Sequence, residues 1–184
     1  MAIQHAWRVD PSQSKISFKV SYMLLGVITG EFRHYSGTVL ADDTFDELKV
    51  TVIVEVGSMT TFHPQRDAGM RSSALFDAEI FPVIKFVSSS CRLVSTGGLF
   101  ELSGLLTIRM ESVPMMMMAS LASFSPGGGA DSPASAVFTF SGMLRRSAFG
   151  LGGKDTPDQD SVADLVEFSG EATIRQSSGK ENGI

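Results

Sequence analysis

The dominant feature of this chain is an alternation of apolar and polar residues with a period of two, repeated over most of its length. The clearest run is residues 48–56, where a leucine and four valines occupy every second position. Successive side chains of a β-strand point to opposite faces, so this pattern predicts half-buried strands. A chain with this periodicity is restricted to folds built almost wholly from β-sheet.

Counting the alternating runs predicts eight strands, most of them separated by turn signals such as Thr96-Gly97-Gly98 and the Pro- and Gly-rich stretch 125–133. Long strands joined mainly by hairpins favour an antiparallel up-and-down order, and closure into a barrel removes exposed edges. An eight-stranded barrel is either filled by its own side chains or wide enough for one small ligand. The predicted strands are 7–20, 27–41, 46–57, 83–94, 98–110, 114–124, 135–147 and 165–176.

Only the region 62–77 breaks the two-residue period. Pro64 suits the first turn of a helix, and Asp77 and Pro82 mark the exit from it. A helix this short needs tertiary packing to persist. We therefore expect one short helix near 63–77, lying across one end of the barrel with an apolar side formed by Phe62, Met70, Leu75 and Phe76.

Length and charge restrict the class of protein. A chain of 184 residues predicts a single domain, over residues 1–176, with a flexible tail at 177–184. A net charge of -5 argues against a nucleic-acid partner. No apolar stretch is long enough for a transmembrane segment. The N-terminus lacks the pattern of a signal peptide, so we expect a cytoplasmic protein, or a periplasmic one if this is a processed form.

The sequence offers little for catalysis or metal binding. Its three histidines, His5, His34 and His63, have no metal-binding spacing, and we predict no metal and no cofactor. The predicted inward faces are almost wholly apolar, which argues against an enzyme with catalytic residues in the barrel. An enzyme acting on an apolar substrate stays open as an alternative, with Asp67 or His63 reaching in from a loop.

Two arginines of the helical segment are candidates for binding a polar group. Asp67 and Arg71 lie four residues apart and can form a surface ion pair on a helix. Alternatively, Arg66 or Arg71 turns its guanidinium to the barrel mouth and holds the polar head of a ligand. Three further arginines at strand ends are weaker candidates of the same kind: Arg109, Arg145 and Arg146.

Four consecutive methionines, residues 115–118, lie within a predicted strand. Alternation sends Met115 and Met117 to one face and the other two to the opposite face. Methionine is flexible and polarisable, and it suits a pocket that adapts to apolar ligands. We predict that Met115 and Met117 line the pocket, while the other two are exposed and available to a partner subunit.

Five segments, in order, carry a family resemblance: Trp7-Arg8-Val9-Asp10 with residues 14–20, Gly30-Glu31-Phe32, residues 66–77 with 81–86, residues 104–108, and residues 146–151. With them the chain resembles the YceI-like family, the lipocalin-like polyisoprenoid-binding proteins, over nearly its whole length. The resemblance implies an eight-stranded antiparallel barrel around an elongated apolar tunnel, often in a homodimer. It also implies binding of isoprenoid, quinone or fatty-acyl chains.

The resulting prediction is non-catalytic binding or carriage of a long-chain apolar lipid inside the barrel. Each methylene moved out of water contributes about 0.8 kcal/mol, so the tail supplies most of the affinity. A barrel filled by its own side chains and serving as an interaction module is a further alternative. The predicted contacts are Phe18, Val20, Phe86, Met110, Met115, Met117, Phe138 and Phe140 in the wall, Met70, Leu75, Phe76 and Phe149 near the lid or entrance, and Arg66 and Arg71 at the head group.

Overall fold

The computed structural model describes residues 5–22, 26–42, 45, 48–128, 132–152 and 161–177. These residues contain one α-helix, α1 (Pro64–Arg71), and short 3-10 turns at Pro11–Gln13, Val56–Ser58 and Arg146–Phe149. The described strands are β1 (His5–Val9), β2 (Lys15–Tyr22), β3 (Gly26–Phe32), β4 (Tyr35–Ala41), β5 (Leu48–Glu55), β6 (Met59–Thr60), β7 (Val83–Ser95), β8 (Leu99–Ile108), β9 (Glu111–Ser125), β10 (Ser135–Arg145) and β11 (Val162–Gln176).

These strands form a closed antiparallel barrel. β4, β5, β7, β8, β9, β10 and β11 pair in that order, and β1 closes the ring by pairing with both β4 and β11. β2 pairs with β11 on one side and with β3 on the other, so β1 with β2, and β3 with β4, act as two halves of bent strands. The predicted all-β, eight-stranded up-and-down barrel is confirmed.

The bend between β1 and β2 interrupts the strand predicted at 7–20. Pro11 begins a 3-10 turn there, and the Asp10 carboxylate accepts hydrogen bonds from the Ser12 backbone N–H at 3.0 Å and from Arg175 Nε at 2.8 Å. Proline cannot donate to a sheet ladder, so the ladder stops at this point. The chain turns a corner of the barrel instead of continuing straight.

The turn between β8 and β9 corrects another prediction. β8 ends at Ile108 because Arg109 adopts a left-handed conformation, with φ of 57°, in a tight turn to Glu111. The alternation therefore ends before Met110, whose side chain is 77% exposed. The placement of Met110 in the barrel wall is wrong.

One rim of the barrel is closed by aromatic side chains. The ends of β9 and β4 and the starts of β1, β8 and β10 meet at this rim because neighbouring strands are antiparallel. Ring centroids there lie 5.3–6.5 Å apart, the range in which tilted and edge-to-face aromatic pairs are favourable. This rim cluster consists of Trp7, Phe45, Phe100, Phe124 and Phe138.

α1 lies at the opposite rim, where β5 ends and β7 begins. His63 caps the helix, its Nδ1 accepting from the Arg66 backbone N–H at 3.3 Å, and Pro64 is the first helical residue. The helix ends at Arg71, and turns occupy most of residues 72–81. The helix predicted near 63–77 exists but is shorter, because Ser72 and Asp77 begin successive turns.

α1 is fastened to β6 by a buried carboxylate. Asp67, only 5% exposed, accepts hydrogen bonds from Thr60 Oγ1 at 2.9 Å and from the backbone N–H of Thr61 at 2.8 Å. Arg71 donates to the carbonyl of Met59 at 3.1 Å. Asp67 and Arg71, both described, form no ion pair within 4.0 Å, so the surface pair considered from the sequence does not form.

The structure describes only the first residue of the predicted C-terminal tail. Of the predicted tail 177–184, only Ser177 is described, and its backbone N–H donates to the carbonyl of Ala6 at 2.8 Å; residues 178–184 lie outside the described part. Within the described ranges, no helix has the length and apolar character needed to cross a bilayer.

Candidate ligand-binding cavity

The interior of the barrel holds a cavity of about 850 Å³, between the aromatic rim and α1. Inward side chains from the barrel strands line it, together with the helix and the turns that follow it. Sites for small ligands in proteins typically measure about 300–1,000 Å³. The barrel is therefore not filled by its own side chains.

Phenylalanine rings cover glycines along the cavity wall. Phe18 stands opposite Gly30 in the ladder of β2 and β3, and Phe168 stands opposite Gly142 in the ladder of β10 and β11. A β-carbon on either glycine would lie 2.3 Å from the ring Cζ atom, far inside contact distance. Because the tip of each ring occupies the space of a missing side chain, the rings lie along the wall and leave the axis open.

The floor and most of the wall are apolar, although Glu171 of β11 also belongs to the lining. Phe138 is 8% exposed and belongs both to the cavity lining and to the rim cluster, so it forms part of the floor. Met115 and Met117 of β9 face the cavity and are half-buried. Such a surface stabilises hydrocarbon through burial and does not require a specific hydrogen-bonding pattern.

Polar side chains gather at the rim that carries α1. His63, Gln65 and Arg66 line the cavity from the helical side, and Tyr22 and Arg146 line it from the strand ends across the rim. Arg66 donates from Nε to Thr61 Oγ1 at 2.8 Å and from Nη2 to the Thr61 carbonyl at 3.0 Å. The cavity thus has an apolar floor and a polar end.

Asp67, next to Arg66, faces away from this cavity. Burial by itself raises the pKa of the Asp67 carboxyl, but hydrogen bonds from Thr61 and Thr60, with the charge of Arg71, bring the pKa below its usual range. The carboxylate therefore stays charged near neutral pH and serves to fasten the helix. It is absent from the lining of the cavity.

A sequence model of the YceI-like domain matches residues 7–174. The chain belongs to the YceI-like family. A UPF0312 protein of Photorhabdus laumondii is 28% identical over 123 residues, which are 65% of this chain and 63% of that protein. The match thus spans less than two thirds of the relative's length. The family predicted from the sequence motifs is confirmed.

Solved structures share the fold of this YceI-like chain. BcnA of Burkholderia cenocepacia superposes with a TM-score of 0.77 at 23% identity, over 90% of this chain and 98% of BcnA. A polyisoprenoid-binding domain from Saccharophagus degradans superposes with a TM-score of 0.73 at 14% identity, over 94% of this chain and 99% of that domain. At these identities the likeness concerns the barrel, and the ligand named for the second protein is a property of that protein.

Most residues selected from the sequence do lie at the cavity of this YceI-like barrel. Two of those proposed for the entrance or head group lie elsewhere, in addition to Met110. Arg71 contacts the backbone of β6, and Phe149 is 3% exposed and packs in the core under the 146–149 turn. The selected residues that line the cavity are Phe18, Val20, Arg66, Met70, Leu75, Phe76, Phe86, Met115, Met117, Phe138 and Phe140. That they contact a ligand stays a prediction.

The structure adds a wall residue that was not selected, and it places one of the weaker arginine candidates at the mouth. Phe168 follows the inward alternation of β11, and its role as a wall ring depends on Gly142 across the ladder. Arg146 continues the inward parity of Phe138, Phe140 and Leu144 one step beyond β10. The signal in both cases was the two-residue period, carried to the end of the strand.

Proposed function

We propose that this YceI-like protein binds and carries a long-chain apolar lipid, such as a polyisoprenoid, an isoprenoid quinone or a fatty-acyl chain, without catalysing a reaction on it. The observation that supports this most strongly is the apolar cavity, closed by aromatic rings at one rim and polar at the other. Each methylene that enters it contributes about 0.8 kcal/mol, so a long tail binds well without specific polar contacts. The polyisoprenoid-binding neighbour from Saccharophagus degradans supports a ligand of this kind.

The two ends of the cavity give the ligand a direction. The tail extends towards Phe138, where the rim cluster stops it, and the head stays at the polar rim beside Arg66. Met70, Leu75 and Phe76, on α1 and the turns after it, cover the part of the chain nearest the head. Arg71, engaged with the Met59 carbonyl, would reach a head group only by leaving that contact.

A binding role is favoured over an enzymatic one by how the two candidate catalytic groups are used. The Asp67 carboxylate accepts hydrogen bonds from the two threonines and points away from the cavity. His63 lines the cavity, but its Nδ1 caps α1. Turnover of an acyl or prenyl ester that is abolished by His63→Ala would favour the enzyme instead.

Extraction of the purified protein tests lipid binding directly. Native mass spectrometry and organic extraction should reveal a co-purifying lipid. Met117→Trp adds bulk to the cavity wall, so we expect it to lower the amount of bound lipid and the affinity for added hexadecan-1-ol at least several-fold. Overpacking of this kind costs about 1–3 kcal/mol of stability, so circular dichroism should still show a folded barrel.

Met110→Trp is the matched control, because it adds the same bulk at a turn outside the cavity. It should leave the lipid content and the affinity for hexadecan-1-ol unchanged. A wild-type protein that yields no lipid and does not bind hexadecan-1-ol would refute the carrier function. A folded Met117→Trp variant with full affinity would refute the assignment of Met117 to the binding wall.

We also propose that the protein forms a homodimer through the outer face of β9 and β10. Met116 is 54% exposed and Met143 is 60% exposed, both on the outer face, while Met118 is half-buried there. Apolar side chains grouped at a surface are favourable positions for subunit contact.

The cytoplasmic or periplasmic location stays a prediction.

A further inference from the structure

Arg146 is a half-buried cation in the cavity lining at the polar rim. It follows β10 directly, in the short turn 146–149, and its side chain is half-buried and lines the cavity. Its Nη2 donates to the carbonyl of Val162, and Val162 stands opposite Tyr22 in the ladder of β2 and β11. Arg146 and Tyr22 therefore belong to the same part of the rim, and both line the cavity.

The guanidinium of Arg146 is held in place by backbone carbonyls, and none of the described carboxylates forms an ion pair with it. Nε donates to the Ala163 carbonyl at 3.1 Å and Nη2 to the Val162 carbonyl at 2.8 Å, while Nη1 has no acceptor among the described residues. A β-carbon on Gly152 would lie 2.4 Å from Nη1, so the backbone of Gly152 packs against the group. Two backbone contacts and this packing fix the orientation of the charge.

Asp164, which follows the two residues whose carbonyls accept from Arg146, is engaged by other groups. Asp164 accepts from the Ser147 backbone N–H and hydroxyl, both at 2.8 Å, and lies 3.5 Å from Arg145 Nη1. Arg146 forms no ion pair with any described residue. The alternation of the chain sends Arg145 outward to Asp164 and Arg146 inward to the cavity.

A half-buried cation beside an apolar cavity loses hydration and gains most from an anionic oxygen partner. Resting on the proposed lipid binding, we infer that Arg146 anchors the head group and that the preferred lipid carries an anionic oxygen head, a carboxylate or a phosphate. Arg66 is a second cation in the cavity lining without an ion pair to a described carboxylate. Glu171 is the one described carboxylate in that lining, so the two arginines leave a net positive charge that favours an anionic head group. Beside a neutral head, the Arg146 charge would have no ion-pair partner in the part of the chain that the structure describes.

The test compares two ligands with the same tail and different heads, hexadecanoate and hexadecan-1-ol, by isothermal titration calorimetry on the delipidated full-length protein. The wild type should bind hexadecanoate at least about ten-fold more tightly, since hydrogen bonds to a charged partner contribute most at a desolvated site. In Arg146→Gln that preference should fall to within about two-fold.

Arg145→Gln is the matched control, because it removes the same charge one residue earlier, on the outer face, and should keep the full preference. If Arg146→Gln does not fold, Arg146→Lys retains the charge without the paired backbone contacts, and it should keep part of the preference. Hexadecyl phosphate then distinguishes a carboxylate site from a phosphate site.

Equal affinity of the wild type for both ligands would overturn the inference while leaving the lipid-binding function intact. A preference that survives unchanged in folded Arg146→Gln would also overturn it. Failure of the wild type to bind either ligand would remove the proposed function itself, and the anchor with it.

Discussion

Individual residues decide whether this barrel is hollow. Phe18, Phe168 and Phe140 are large enough to obstruct the axis, yet the cavity persists because each ring lies over a cross-strand glycine. Glycine is costly inside a strand, where it gives up packing and adds conformational entropy to the unfolded chain. Here the glycines lower stability but leave space for the phenylalanine rings at the wall, so they affect both the unfolding free energy and the volume open to a ligand.

Gly142→Ala tests whether the glycine keeps the Phe168 ring against the wall, because it adds only one methyl group. The new methyl group would lie 2.3 Å from Phe168 Cζ, so the ring must swing toward the cavity axis. We expect a several-fold loss of affinity for hexadecan-1-ol and a loss of about 1–3 kcal/mol in unfolding free energy. Calorimetry and urea unfolding measure the two effects.

Gly57→Ala is the control for this substitution, since a β-carbon there has open space around it and the residue is outside the cavity lining. A crystal structure of Gly142→Ala with the Phe168 ring unmoved, together with unchanged affinity, would contradict the role given to the glycine.

Among the secondary-structure elements, α1 is held in place mainly by one carboxylate, that of Asp67, and its own helix propensity contributes less. The helix has eight residues, too few to be stable alone in water, so its position derives from contacts with β6. Asp67 supplies them through the hydroxyl of Thr60 and the hydroxyl and N–H of Thr61. Because α1 covers the polar rim, these hydrogen bonds hold the cover of the cavity in place.

Asp67→Asn should lower the unfolding free energy by about 1–3 kcal/mol at pH 7, because an amide accepts fewer of these hydrogen bonds. The folded pKa of Asp67 is lowered, so its stabilisation is present above the unfolded pKa of about 3.9 and is lost as pH falls through the folded pKa. Urea unfolding should therefore show a difference between wild type and variant at pH 7 that shrinks below about pH 4.

Glu79→Gln is the control, since it neutralises an exposed carboxylate in the segment after the helix. It should leave stability at pH 7 within about 0.5 kcal/mol of the wild type. An Asp67→Asn difference that is equally large at pH 3 and pH 7 would show that the carboxylate charge is not what fastens α1.

At the scale of the whole molecule, the barrel has two apolar surfaces with different uses. The inner surface forms the cavity, and the outer surface carries exposed Met116 and Met143 on adjacent strands. β9 and β10 are each paired on both sides, so a partner subunit that docks on their outer face contacts side chains and does not extend the sheet.

The double variant Met116→Glu with Met143→Glu should therefore dissociate the proposed homodimer, because two like charges per subunit would be buried against their copies. Sedimentation velocity over a range of concentrations measures the outcome. Leu40→Glu, which places a charge at an exposed position of β4, away from β9 and β10 in the strand order, should leave the dimer intact. A wild type that remains monomeric at high concentration, or a double variant that remains dimeric, would refute this interface.

The barrel class and the inward parity of Phe18, Met117 and Phe138 could be read from the chain alone, because alternation is a local property of each strand. The residue at which the alternation of β8 ends could not be predicted from the sequence. Met110 leaves the wall because a left-handed residue ends β8 one step earlier. The helix was likewise recognisable, but the partners of its carboxylate were not.

Alternation along each strand dictates which face a residue takes, and hence that the interior is apolar. That this interior is hollow follows from strand pairing, because the contacts of Phe18 with Gly30 and of Phe168 with Gly142 join residues from different strands. Tertiary contacts also engage Asp164 with Ser147 and Arg145 and leave Arg146 without an ion pair among the described residues. The volume of the cavity and the pairing of charged side chains both depend on which residues closure of the barrel makes neighbours. The two-residue period along the chain does not predict those neighbours.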